Sequence, residues 1–174
     1  LSKHMEEGSP GNVSVSVTYT LTNDDILKVR YEASTDQKTI INLTQHSYFN
    51  LSGDFTAQIW DHELMLNADA FLAVDENQIP TGAYTAVAQT PFDFSSFKTM
   101  GQDFNSESKQ LEIGNGYDHC FVINPSEKAM VEAAVVHHPK SGRVMKVFTD
   151  QPGIQLYTGN FLDNTLTAKN GGTY

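Results

Sequence analysis

The chain has 174 residues, with 21 Asp and Glu against 11 Lys and Arg and a formal charge of -10. That balance argues against a nucleic-acid binder, because phosphates would be repelled rather than neutralised. A hydrophobic content of 39% supports a packed core and excludes wholesale disorder, and the single cysteine, Cys120, excludes a disulfide framework or a Cys-rich zinc site.

From the N-terminus, Val13, Val15, Val17, Tyr19 and Leu21 alternate with Ser and Thr, the period of a half-buried strand. Thr22-Asn23-Asp24-Asp25 is a turn cluster, and Leu27, Val29, Tyr31 and Ala33 resume the alternation, which predicts an antiparallel hairpin. A third strand is predicted over residues 39–44. Further strands are predicted over 59–66, 84–88, 120–123, 130–136, 144–149 and 154–158, with Pro139-Lys140-Ser141-Gly142 as a hairpin turn. Residues 95–101 could hold a short helix. No strong helical periodicity survives a full window, so the expected class is all-β, a sandwich or part of one.

No repeat or composition shift marks a second domain. The residues near Leu1 lack a signal peptide's basic and apolar blocks, and no apolar run reaches the ~18 residues of a membrane helix. A cytoplasmic setting is the expectation. The start at Leu1 rather than Met leaves open a piece of a longer protein. Charged residues make up only 18%, which suits recognition of polar groups through neutral hydrogen bonds.

Six histidines are candidates for acid–base chemistry near neutral pH. His137 and His138 are adjacent on a predicted strand, so they leave on opposite faces and are not expected to share a metal. His4 is expected in a solvated leader. His62, flanked by Asp61 and Glu63, is expected on an exposed strand. His46 lies inside Asn42-Leu43-Thr44-Gln45-His46-Ser47-Tyr48-Phe49-Asn50-Leu51-Ser52-Gly53. Amides, hydroxyls, aromatics and one imidazole suit a polyol, although a buried His tied into a strand-end turn fits equally well.

Asp118, in Gly114-Asn115-Gly116-Tyr117-Asp118-His119-Cys120-Phe121, could accept two hydroxyls or simply end a turn before a strand. If that strand begins near His119, Asp118 and His119 point apart. Gln155 interrupts an apolar strand in Gln151-Pro152-Gly153-Ile154-Gln155-Leu156-Tyr157-Thr158-Gly159-Asn160, as a ligand contact or as an outward-facing residue. Sequons occur at Asn12, Asn42 and Asn50, but two of them flank His46, where a glycan would obstruct a site. Cys120 reads as a small core residue. The phosphate-loop, Gly-x-Ser-x-Gly and His-Glu-x-x-His motifs are missing.

Taken together, Glu7-Gly8-Ser9-Pro10-Gly11, residues 42–53, Pro91-Phe92-Asp93-Phe94, residues 116–121 and residues 151–162 resemble, in order, the aldose 1-epimerase (galactose mutarotase) family. The resemblance implies a large twisted antiparallel β-sandwich. It also implies a cofactor-free, metal-free interconversion of the α and β anomers of free aldoses, with a monosaccharide as partner and no role for nucleic acid or membrane. By motif match His46 is the general acid, and Asp118 and Gln155 are sugar-hydroxyl ligands.

Members of the family are longer at both ends. Their Asn-Arg pair and second active-site His precede the Glu-Gly-x-Pro-Gly block, and the catalytic Glu follows an Asn-Gly-Gly region, so the base is expected beyond Tyr174. Residues 1–174 are therefore expected to be the central to C-terminal part of one mutarotase-like domain, catalytically incomplete alone. Glu63, Glu112 and Glu132 could be nominated as a replacement base, but none lies in a matching block. Two alternatives are a non-catalytic carbohydrate-binding sandwich and a hexose-6-phosphate 1-epimerase. The latter needs cationic phosphate ligands, and the 11 Lys and Arg form no cluster.

Overall fold

The computed structural model describes residues 1–54, 56–167 and 171–173. Their regular secondary structure is almost all antiparallel strand, joined by long irregular segments, in two compact units, Leu1–Ser47 and Tyr48–Tyr174.

In the first unit β1 (Val13–Leu21) and β2 (Leu27–Thr35) form the expected hairpin, in register from Val13↔Thr35 to Leu21↔Leu27. Thr22 closes the turn: its Oγ1 accepts the N–H groups of Asp24 and Ile26, and its own N–H donates to the Ile26 carbonyl. The alternating apolar side is less buried than its period predicts, with Tyr19 55% and Leu21 76% exposed. The strand expected over residues 39–44 is absent, and the backbone there is irregular. Among the described residues it has no ladder partner, and β-propensity alone does not hold an unpaired segment extended.

The second unit contains two four-stranded sheets. Its strands are β3 (Glu63–Leu66), β4 (Ala70–Val74), β5 (Pro80–Ala86), β6 (Lys98–Thr99), β7 (Asp118–Val122), β8 (Val131–His138), β9 (Arg143–Thr149) and β10 (Gly153–Tyr157). One sheet runs β10-β7-β4-β5 and the other β6-β3-β8-β9. Inward residues of both sheets, among them Leu64, Leu66, Phe71, Phe121, Ala134 and Val136, share one hydrophobic cluster, so the unit is a β-sandwich.

Two expectations need correction here. Residues 95–101 are not helical but carry the short strand β6. The helix is instead α1 (Lys109–Gly114), too short for a periodicity window to detect. Strand β4 was not expected, because Ala-Phe-Leu-Ala-Val is a continuous apolar run without alternation.

Candidate functional site

Asp118 and Gln155 are brought together by strand parity. β7 and β10 pair antiparallel with Gln155↔Cys120 and Tyr157↔Asp118 in register. His119 and Phe121 point into the core, where Ile154 and Leu156 also pack. Asp118, Cys120, Gly153, Gln155 and Tyr157 therefore share the opposite face. Gln155 Nε2 donates to Asp118 Oδ1 at 2.7 Å. That bond leaves the second carboxylate oxygen to accept and the amide's other N–H and Oε1 for further partners.

Glycine makes this face possible. A Cβ on Gly153 would lie 2.8 Å from Cys120 Sγ, and one on Gly116, at φ +132, would lie 2.6 Å from Asn160 Oδ1. Asn160 pins the approach to β7: its Nδ2 donates to the Gly114 carbonyl at 2.8 Å and the Tyr117 carbonyl at 3.0 Å. Asn115, left-handed at φ 51, ends α1 just before this point. Two tyrosines complete the surroundings. Tyr48 meets Tyr157 edge-on, with ring centroids 5.8 Å apart at 65°, and the Tyr157 hydroxyl accepts the Phe161 N–H at 3.2 Å. Tyr157 was detectable in the sequence, because it has the parity of Gln155.

His46 belongs to the first unit, exposed in the irregular stretch after β2. Its backbone N–H donates to Gln45 Oε1 at 3.0 Å, and Gln45 also receives the Tyr19 hydroxyl at 3.4 Å. His119, as expected, points away from Asp118. It is 0% exposed, edge-on to Phe71 and Phe92, and burial lowers its pKa from 6.5 to about 4 even though the Asp118 charge pulls it up. The nominated glutamates lie elsewhere, each beside a cationic or ionisable group: Glu63 with His137, Glu112 with Lys109 and Glu132 with Lys146. His4 is exposed, as expected, but its Nδ1 accepts the Gly11 N–H at 3.0 Å.

His62 departs from the exposed placement its acidic neighbours suggest. It is 1% exposed, in phase with the inward Leu64 and Leu66, and its ring lies 4.6 Å from that of His138. With Asp61 the two histidines have a metal site's composition. However, His62 Nε2 accepts the Leu51 N–H at 2.9 Å, so the neutral ring carries its proton on Nδ1, the nitrogen 3.4 Å from Asp61 Oδ1. The lone pair a metal needs is not offered there. Lys140 Nζ also lies 2.9 Å from Asp61 Oδ2, and it chiefly holds that carboxyl below the usual carboxylate range.

The cluster instead grips the loop after Tyr48. Besides His62 on its N–H, Leu51 receives Ser141 Oγ at 2.8 Å and Arg143 Nη1 at 3.1 Å on its carbonyl, and Arg143 also donates to the Ser52 carbonyl at 3.1 Å. His138 is tied to the same turn, with Nδ1 2.8 Å from Ser141 Oγ. A cleft of about 320 Å³ beside Asp61 and Lys140 lies against this grip.

The comparisons agree with the motif pattern. An aldose 1-epimerase family profile matches residues 1–173. A galactose mutarotase of Sus scrofa is 48% identical over 97% of this chain and 47% of its own length, and one of Homo sapiens is 46% identical over 100% and 49%. An aldose 1-epimerase of Haemophilus influenzae is 42% identical over 97% of the chain and 48% of its own length. Among solved structures, a galactose 1-epimerase from Lactobacillus acidophilus NCFM superposes with a TM-score of 0.83 at 33% identity, covering 99% of this chain and 49% of that one. The chain thus spans about half the length of the relatives it matches.

Proposed function

Because the chain belongs to the aldose 1-epimerase family, we propose that the protein interconverts the α and β anomers of free hexoses, galactose and glucose among them, by acid–base ring opening. In this reading Asp118 and Gln155 hold sugar hydroxyls and His46 is the general acid. A base removes the proton of the anomeric hydroxyl, and that oxygen's electron pair forms the aldehyde C=O. The bond from C1 to the ring oxygen breaks, and the ring oxygen takes the proton from His46. Rotation about C1–C2 followed by the reverse transfers closes the other anomer.

No cofactor enters these steps. The base is a carboxylate by the same family likeness, and Glu63, Glu112 and Glu132, each already engaged, are not assigned the role. A cytoplasmic place in hexose metabolism is part of the proposal; no described helix is long and apolar enough to cross a membrane.

The observation that carries the reading is the Gln155–Asp118 hydrogen bond, on an outward face formed by two of the matching blocks. The alternation that buries Ile154 and Leu156 leaves this amide and carboxylate outside the core, where a neutral polyol can satisfy them. The test is polarimetry with α-galactose, comparing the protein with His46→Asn. Wild-type mutarotation above the spontaneous rate, reduced roughly a hundred- to ten-thousandfold in the variant, is the expected result. Equal rates for the two would remove His46 from the mechanism.

A further inference from the structure

We propose that His119 is a positioning residue for the sugar site: its buried Nδ1 accepts the backbone N–H of Asp118 at 3.2 Å and so fixes the peptide from which the Asp118 carboxylate is aimed. This rests on the sugar-binding reading above and extends it to a residue beneath the site that touches no substrate.

The need for such an acceptor comes from the ladder. The Thr158 N–H donates to the Tyr117 carbonyl at 3.1 Å, so Tyr117 stands on a bonded rung beside β10. Bonded and non-bonded rungs alternate along antiparallel strands, which puts Asp118, opposite Tyr157, on a non-bonded rung with its N–H turned away from β10. On the other side of β7 the β4 ladder runs through Ala70↔Val122 and Phe71↔Phe121, and the described strands offer Asp118 no partner there. The next side chain supplies the acceptor instead.

His119 can do this in one tautomer. An Nδ1 that accepts leaves the proton of the neutral ring on Nε2. That nitrogen is buried without a hydrogen-bond partner among the described residues, in a ring set edge-on to Phe92 at 4.7 Å and to Phe71 at 5.5 Å. Gly114 leaves room for the ring, since a Cβ there would lie 3.3 Å from Cε1. Burial lowers the pKa to about 4 against the opposing Asp118 charge, so Nδ1 remains an acceptor near neutral pH.

The effect reaches the carboxylate because the Tyr117–Asp118 peptide is held on both edges. Its carbonyl receives the Thr158 N–H at 3.1 Å and Asn160 Nδ2 at 3.0 Å, and its N–H goes to His119. A peptide plane pinned this way sets the direction in which the Asp118 side chain leaves, and Asp118 Oδ1 then meets Gln155 Nε2 at 2.7 Å. A residue present only to fill the core would need the ring's volume but not its Nδ1.

The experiment separates volume from acceptor. His119→Phe keeps a ring in the aromatic cage and loses Nδ1, whereas His119→Asn loses the ring and can place its Oδ1 near the same spot. The full chain is titrated with galactose, read by calorimetry, for wild type, both variants and Asp118→Ala, and urea midpoints are measured alongside. The expectation is a crossing: His119→Phe has the higher midpoint of the two, yet binds galactose a few-fold to tenfold more weakly than wild type, while His119→Asn stays within a few-fold of it. Affinities that follow the midpoints, with Phe at or above Asn, overturn the proposal. A second measurement needs no variant: nitrogen-15 spectra of the wild type near neutral pH should show His119 with Nδ1 unprotonated and Nε2 protonated, and the opposite tautomer overturns the proposal even if a variant fails to fold. If Asp118→Ala weakens binding while His119→Phe binds like wild type, the positioning is overturned and the sugar site stands. If no galactose binds the wild type, or Asp118→Ala changes nothing, the underlying reading fails and takes this inference with it.

Discussion

The Nε2 of buried His62 accepts the backbone N–H of Leu51 at 2.9 Å, anchoring the loop three residues after Tyr48 to the start of β3. The bond requires an unprotonated Nε2. Replacing His62 by Ala leaves a half-buried N–H without its acceptor, which should cost about 1–3 kcal/mol of stability, read as a lower urea midpoint. His62→Gln, whose Oε1 can accept, should recover part of the loss. An unchanged midpoint in His62→Ala would show that water satisfies Leu51 and that the anchor is idle.

Burial, and then the neighbouring His138, lower the pKa of His62 from its ordinary 6.5, with Asp61 opposing. The folded protein therefore prefers the neutral ring that the Leu51 contact needs. The stability this supplies is complete above 6.5 and is lost as pH falls through the lowered folded value. The carbon-bound ring protons of His62 should titrate with a midpoint below 6.5 in NMR spectra. A midpoint above that value would mean the Asp61 charge outweighs desolvation.

Gly153 faces Cys120 across the β7–β10 pair, where an added Cβ would lie 2.8 Å from Sγ. Gly153→Ala should thus strain the two strands that carry Asp118 and Gln155, costing about 1–3 kcal/mol. Removing the sulfur in Gly153→Ala/Cys120→Ala should restore much of it. Because the Phe121 carbonyl also lies 3.2 Å from that Cβ, the rescue should be incomplete. Equal denaturation midpoints for the single and double variants would exclude the sulfur as the obstacle.

Asn160 joins the segment after β10 to the two carbonyls that precede Asp118. Asn160→Ala should lower stability by about 1–3 kcal/mol and also weaken sugar binding, since the turn that aims Asp118 loses its tie. Asn160→Asp keeps the size but loses the donating amide, so it should behave like Ala. If it binds sugar as tightly as wild type, the two amide bonds do not position the site.

The parts visible in the sequence are those governed by period two. The β1–β2 hairpin follows from its alternation and the Thr22–Asp25 polar run, and the shared face of Gln155 and Tyr157 follows from their spacing. Alternation also held the clue to His62, in phase with Leu64 and Leu66, but the flanking acids obscured it. Strand β4 gave no such signal because it is apolar at every position, and α1 is shorter than the window that detects a helix. The grip of Ser141 and Arg143 on Leu51 joins residues about ninety positions apart, a pairing set by the β8–β9 turn rather than by local pattern. The same limit applies to the 39–44 segment, whose composition suits a strand but which has no described partner to make one.

His119 offers the most direct test of the core beneath the site. Its neighbours are aromatic, it is 0% exposed, and burial depresses its pKa from 6.5 to about 4. The unfolded chain binds a proton there as pH falls below 6.5, whereas the folded chain resists until about 4, so stability must decline across that interval and level off below it. The shift corresponds to about 3 kcal/mol over the full window. In His119→Phe this contribution disappears whatever the substitution costs at neutral pH, so the quantity to read is the slope of stability against pH. Denaturant unfolding at pH 7, 6, 5 and 4 should give a shallower slope for the variant than for wild type. Parallel slopes would mean that His119 is charged in the fold, with the Asp118 carboxylate across β7 prevailing over the aromatic cage.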